Sequence, residues 1–231
     1  MRVHRSTPRS IFKGLPRSTI RRIRGLQGEA LKMAKSQSQP VVAALLRLRP
    51  GKERSLLRRH PWLYPGAISD EGIKLIERLP SGHPIAVCDA KGQFLAWACG
   101  SPRSSIRLRA WSFQEKEPPD AALIAKRVSQ AFARRRAILE QSNARRMVFA
   151  EADGLPGLIV DLYDEQAVVQ ILSAGADYFR AAIVDAIKAQ GIDAIYERSD
   201  AAGAQREGLN AGQAVLHGAE PADRKSTRLN S

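Results

Sequence analysis

The feature that most limits what this chain can fold into is a change of hydrophobic period at Pro118-Pro119. Upstream, apolar and polar residues alternate over short runs, the pattern of strands with one buried face. Leu46-Arg47-Leu48-Arg49 alternates until Pro50-Gly51 closes it. The segment from Ile106 to Phe113 places Ile106, Leu108 and Ala110 on one face and Arg107, Arg109 and Trp111 on the other. Ile85 to Asp89 and Phe94 to Cys99 flank Ala90-Lys91-Gly92-Gln93, which predicts a β-hairpin with a glycine free to adopt positive φ. Glu53 to Arg59 suits a short helix stopped before Pro61, and Trp62-Leu63-Tyr64 runs into a turn at Pro65-Gly66. So many short strands over residues 41–117 predict a small barrel-like β unit.

Downstream the period lengthens. Asp120 can cap a helix running to about Gln141, with Ile124, Val128, Ala131, Phe132 and Ile138 on its apolar stripe. Strands are expected at Met147–Ala150, Leu158–Leu162 and Ala167–Leu172, joined by Asp153-Gly-Leu-Pro-Gly157 and Tyr163-Asp-Glu-Gln166. A second helix over about Asp177 to Gln190 buries Phe179, Ile183, Ala186 and Ile187, and Ala194–Glu197 reads as a last strand. Residues 118–222 therefore read as a small α+β unit, and the whole chain as α+β.

The formal net charge of +14 points to a polyanionic partner and against an acidic secreted enzyme. Its distribution is uneven. Residues 1–40 carry ten Lys/Arg and one acid, residues 41–111 twelve and five, and residues 151–222 only four against twelve. The first forty residues have too few large apolar groups to bury a core and are expected to be a disordered basic extension. A transit peptide, an RNA-binding arm and translation upstream of the true start share that composition. Residues 223–231, Asp223 to Ser231, read as translated adapter sequence. No apolar run approaches a membrane span, the longest being Val41 to Leu46, so a soluble cytoplasmic protein is expected.

Little in the chain suggests a catalytic centre. His4, His60, His83 and His217 are scattered, and Asp153 to Gly157 has the wrong spacing for a phosphate loop and suits a turn. Glu151, Asp153, Asp161, Asp164 and Glu165 cluster; a paired acid and base could sit there, but solvated hairpin ends are the simpler expectation. Cys88 and Cys99 fall within strand-like apolar runs, where buried inert thiols are the default. The stronger signal is basic. Arg54, Arg58, Arg59 and His60 precede Trp62 and Tyr64, and Arg103, Arg107 and Arg109 come off a later strand, so cations interleave with aromatics as an RNA surface requires. A solvated face over core aromatics is the alternative.

Four blocks together carry a family resemblance. They are Gly51-Lys-Glu-Arg-Ser-Leu-Leu-Arg-Arg-His-Pro-Trp-Leu-Tyr-Pro-Gly-Ala67, Glu151-Ala-Asp-Gly-Leu-Pro-Gly157, Leu172-Ser-Ala-Gly-Ala176 and Tyr196-Glu-Arg-Ser-Asp200. In order and spacing they resemble the N-terminal half of the RlmI-like 23S rRNA (cytosine-5) methyltransferases, over about residues 45 to 220. The resemblance implies a PUA domain, a central α+β domain and a C-terminal Rossmann-like domain that binds S-adenosylmethionine, the last lying beyond this chain. It makes RNA, with 23S rRNA foremost, the expected partner, and Arg54, Arg58, Arg59, His60 and Arg103 the expected contacts. A stand-alone PUA-domain adaptor is the competing reading.

Methylation at carbon 5 of cytosine needs a thiolate that attacks carbon 6, and neither Cys88 nor Cys99 matches the family's cysteine. The chain by itself is therefore expected to hold no cofactor, to bind RNA weakly and to transfer no methyl group. Methyl incorporation into rRNA by the purified chain would overturn that expectation.

Overall fold

A computed structural model describes residues 44–136, 144–210 and 212–219. They form a mixed α+β fold with two five-stranded sheets. The first sheet is built from β1 (Ala44–Arg47), β2 (Trp62–Leu63), β3 (Pro84–Cys88), β4 (Phe94–Gly100) and β5 (Leu108–Ser112), in the order β1-β3-β4-β5-β2. Helix α1 (Arg54–Leu57) precedes β2, and α2 (Asp70–Arg78) follows it. Its two edges meet. Leu48, just past β1, bridges Ile68, just past β2, and the Arg49 N–H donates to Ala67 O at 2.9 Å while the Ser69 N–H donates to Arg47 O at 3.2 Å. These bonds satisfy backbone groups that an open edge would expose, and they close the sheet into a barrel-like ring around Leu46, Leu56, Leu63, Ile68, Ile76, Ile85, Val87 and Leu108.

The β3–β4 hairpin forms as the two apolar runs around Ala90–Gln93 predict. Asp89 Oδ1 accepts from the Lys91 and Gln93 N–H groups at 2.9 and 2.8 Å, and Gly92 takes φ +91°. Helix α2 falls in a stretch for which no element was expected. Ser69 caps it, accepting from the Gly72 N–H at 3.1 Å, with Asp70 and Glu71 in its first turn facing the helix dipole.

The second sheet, in the order β10-β9-β8-β7-β6, comprises β6 (Ala144–Phe149), β7 (Leu158–Tyr163), β8 (Gln166–Ile171), β9 (Ala194–Arg198) and β10 (Gln213–His217). Before it runs α3 (Ala121–Arg136), capped by Asp120, whose Oδ1 accepts from the Leu123 N–H at 2.8 Å. The expected continuation of α3 to Gln141, including Ile138, lies outside the described residues. Ile124, Val128, Ala131 and Phe132 are all buried, as the stripe predicts. The second expected helix begins earlier than its pattern suggests and is broken. Ser173 caps α4 (Ala174–Tyr178), Phe179 departs from helical dihedrals at φ −94° and ψ 15°, and α5 (Arg180–Lys188) follows. Helix α6 (Ala201–Glu207) and strand β10 also form, beyond the last strand anticipated.

The carboxylates after β6 do not solvate a hairpin end. A short 3-10 turn over Ala150–Asp153 buries Asp153, whose side chain is 3% exposed. Asp153 pairs with Arg134 at 2.7 Å and Arg135 at 2.8 Å, and accepts from the Phe149 N–H at 2.6 Å. Burial works against its charge, but these hydrogen bonds and the Arg135 cation outweigh it and hold the carboxyl below its ordinary pKa. A depressed native pKa contributes stability above the unfolded value of about 3.9, lost as pH falls through the lower folded value. Urea midpoints are therefore expected to drop below about pH 4, and Asp153→Asn to flatten that drop while costing about 1–3 kcal/mol at pH 7.

Candidate nucleic-acid interface

The alternation in β5 determines how the two sheets meet. Leu108 and Ala110 point into the barrel, while Arg109 and Trp111, on the opposite face, are also buried, at 8% and 2% exposure. Trp111 and Cys99 belong to the core of the second half, where Trp111 meets the Phe179 ring at 5.4 Å between centroids. Contact is close enough to require a glycine: a Cβ on Gly175 of α4 would lie 2.7 Å from both Cys99 Cβ and Trp111 Nε1. Burial pushes the Cys99 thiol well up, and burial together with Asp89 raises that of Cys88. Both are unsuited to thiolate chemistry.

Arg109 crosses this junction. Its guanidinium pairs with Glu207 of α6, and Nη1 stands 3.8 Å from Glu151 Oε1. Ser104 Oγ donates to Glu207 Oε1 at 2.6 Å, and Trp62 Nε1–H donates to Glu151 Oε1 at 2.8 Å. Arg127 of α3 ties the same strand from another side, donating to Trp111 O and to Gly154 O. Arg109, expected on an RNA surface, is thus corrected to an internal group, because Glu207 and Glu151 neutralise it where water is excluded.

The other expected residues separate into two places. Arg54, Arg58, Arg59 and His60 are exposed on α1 and the loop after it, which is anchored by buried Leu56. Arg59 takes φ +62° and lies over the Phe113 ring at 4.8 Å. His60 meets Trp62 edge-on at 5.7 Å, and its Nδ1 accepts from the Trp62 N–H at 3.3 Å. Trp62 is half-buried and pairs with Arg109 across β2 and β5, with the Arg109 guanidinium 5.8 Å from its ring centroid. Arg103 and Arg107 lie at the other end of β5. Exposed Arg103 packs its stem on Gly208, while half-buried Arg107 donates to Ser101 O at 3.4 Å. Sequence reasoning missed Glu207, although Asp200 as N-cap and Gly208 in the left-handed region bracket its helix in a readable way. Exposed Tyr64 follows β2, on the side where the pairing with β5 runs toward Arg107.

Removing Glu207 leaves Arg109 buried with one distant carboxylate. Glu207→Ala is expected to cost about 3 kcal/mol by urea denaturation, and the double change Arg109→Met with Glu207→Leu to recover most of it.

Comparison with known proteins agrees with this architecture. The PUA-like domain model matches residues 46–113. The chain is 41% identical over 177 residues to the ribosomal RNA large subunit methyltransferase I of Erwinia tasmaniensis, an alignment covering 75% of this chain and 44% of that protein. It is 39% identical over 183 residues to the protein of the same name from Alteromonas mediterranea, covering 78% and 45%. A candidate SAM-dependent methyltransferase from Streptococcus mutans shares the fold at a TM-score of 0.60 and 17% identity, over 78% of this chain and 44% of that one. A candidate methyltransferase solved with SAH aligns at the same TM-score with 16% identity, covering 77% and 43%. The chain thus carries a PUA-like region within a stretch similar to large-subunit rRNA methyltransferases I, and spans less than half the length of the curated relatives it matches.

Proposed function

We propose that this chain is the RNA-recognising part of a SAM-dependent methyltransferase acting on cytosine in 23S rRNA. The observation that carries the reading is the group Arg54, Arg58, Arg59 and His60. It is exposed, lies beside Trp62, and has no ion-pair partner among the described residues. Unneutralised guanidinium forks supply phosphate contacts, and the neighbouring rings supply stacking faces. Arg103 extends the contact from the far end of β5, and Arg109 serves as scaffold rather than contact. S-adenosylmethionine would supply the methyl group in the longer relatives, and no residue of this chain is assigned to it. High-pKa Cys88 and Cys99 are consistent with a nucleophile located elsewhere.

Binding of a 23S rRNA fragment, followed by fluorescence anisotropy across a salt series, tests the proposal. Arg58→Gln combined with Arg59→Gln is expected to weaken binding roughly tenfold and to lower the salt slope by about 1.5 to 2. Unchanged affinity in that variant, or equal affinity of the native chain for unrelated DNA, would remove the reading.

A further inference from the structure

By count the second half is slightly acidic, with fourteen Asp/Glu against eleven Lys/Arg over residues 118–222. Near the end of β6 its surface has the opposite sign, because the ion pairs there are arranged with the acid inside. The Asp153 side chain is 3% exposed and its partner Arg134 53%; Asp161 is 16% exposed and its partner Arg146 45%. Burial does not remove the carboxylate's field, but it leaves the guanidinium as the member of each pair that an approaching anion can touch. Amid these cations Phe149 is 50% exposed, an unusual state for a large aromatic. The Arg146 guanidinium lies over its ring at 5.3 Å and is itself held in a bidentate grip by Asp161 at 2.8 and 3.0 Å. The backbone is held as well, since the Phe149 N–H donates to Asp153 Oδ2. An orienting cation on a half-exposed ring, rigidly supported, is a preformed stacking platform.

Phe149 also lies close to the surface proposed above. It is two residues from Glu151, so their Cα atoms are at most about 7 Å apart, and Glu151 accepts the Trp62 indole N–H at 2.8 Å. We propose that Phe149 and Arg146 form a second RNA subsite that stacks one unpaired base and contacts its phosphate, extending the footprint from the barrel onto the second half. This deepens the RNA reading and rests on it. The partner is single-stranded because a base must leave its own stack to reach the ring.

The test is anisotropy of the full 231-residue chain with a labelled 16-nucleotide single-stranded RNA and with the same sequence as a duplex. Phe149→Ala is expected to weaken single-strand binding roughly fivefold to tenfold while changing duplex binding less than about twofold. Phe149→Trp is expected to retain affinity, its added indole emission falling on RNA binding. Arg146→Gln should weaken single-strand binding by a smaller factor that disappears at high salt. Native single-strand affinity in Phe149→Ala, or equal losses for single strand and duplex, would overturn this subsite while leaving the barrel surface standing. Failure of the native chain to bind RNA at all would overturn both.

Discussion

The described structure depends on β5 having no solvent face. Leu108 and Ala110 fill the barrel while Trp111 and Arg109 enter the second half, so one strand supplies both cores. Apolar burial of Trp111 against Cys99, Phe179 and Gly175 gives the junction its area, and Arg109 gives it registry. A buried guanidinium tolerates few alternative positions, because any arrangement that loses Glu207 leaves a charge without water and with only Glu151, 3.8 Å away, to balance it. The Arg109–Glu207 pair therefore specifies how β5 meets α6 more than it stabilises the fold. Trp62 is drawn into the same network through Glu151, which links the exposed aromatic–basic loop to the second half.

Ion pairing also separates sequence charge from surface charge. Arg109 looks like a phosphate ligand in a list of residues and is neutralised inside, whereas Arg134 and Arg146 are far more exposed than the carboxylates they pair with and so present cations outward. Arg54, Arg58 and Arg59 differ from all of these in facing solvent without an ion-pair partner among the described residues. A net count assigns every charge equal weight. Burial decides which member of each pair an RNA would meet.

The elements legible in the chain were those whose signals are local. The β3–β4 hairpin follows from two apolar runs and Gly92 between them, and α3 from Asp120 and a stripe of four buried residues. Helices α2 and α6 were also written locally, in their Ser69 and Asp200 caps, but their short amphipathic stretches lack a long period. The break between α4 and α5 was not readable. Phe179 leaves the helical path at a position where it buries against Trp111, a residue 68 positions earlier, and no local preference encodes that contact.

The sequence by itself determined the two-part α+β character, the change of period after Pro118-Pro119, the basic–aromatic block from Arg54 to Tyr64 and the resemblance those residues carry. These properties reside in neighbouring residues and the periods of their apolar groups. Only the tertiary structure decided which cations face solvent unpaired. It buried Arg109 against Glu207, split the other expected arginines between the two ends of β5, and left Phe149 half-exposed beneath Arg146. The physical reason is that exposure and neutralisation are properties of pairs brought together over many residues, as Arg109 and Glu207 are over 98, and no window along the chain contains both partners.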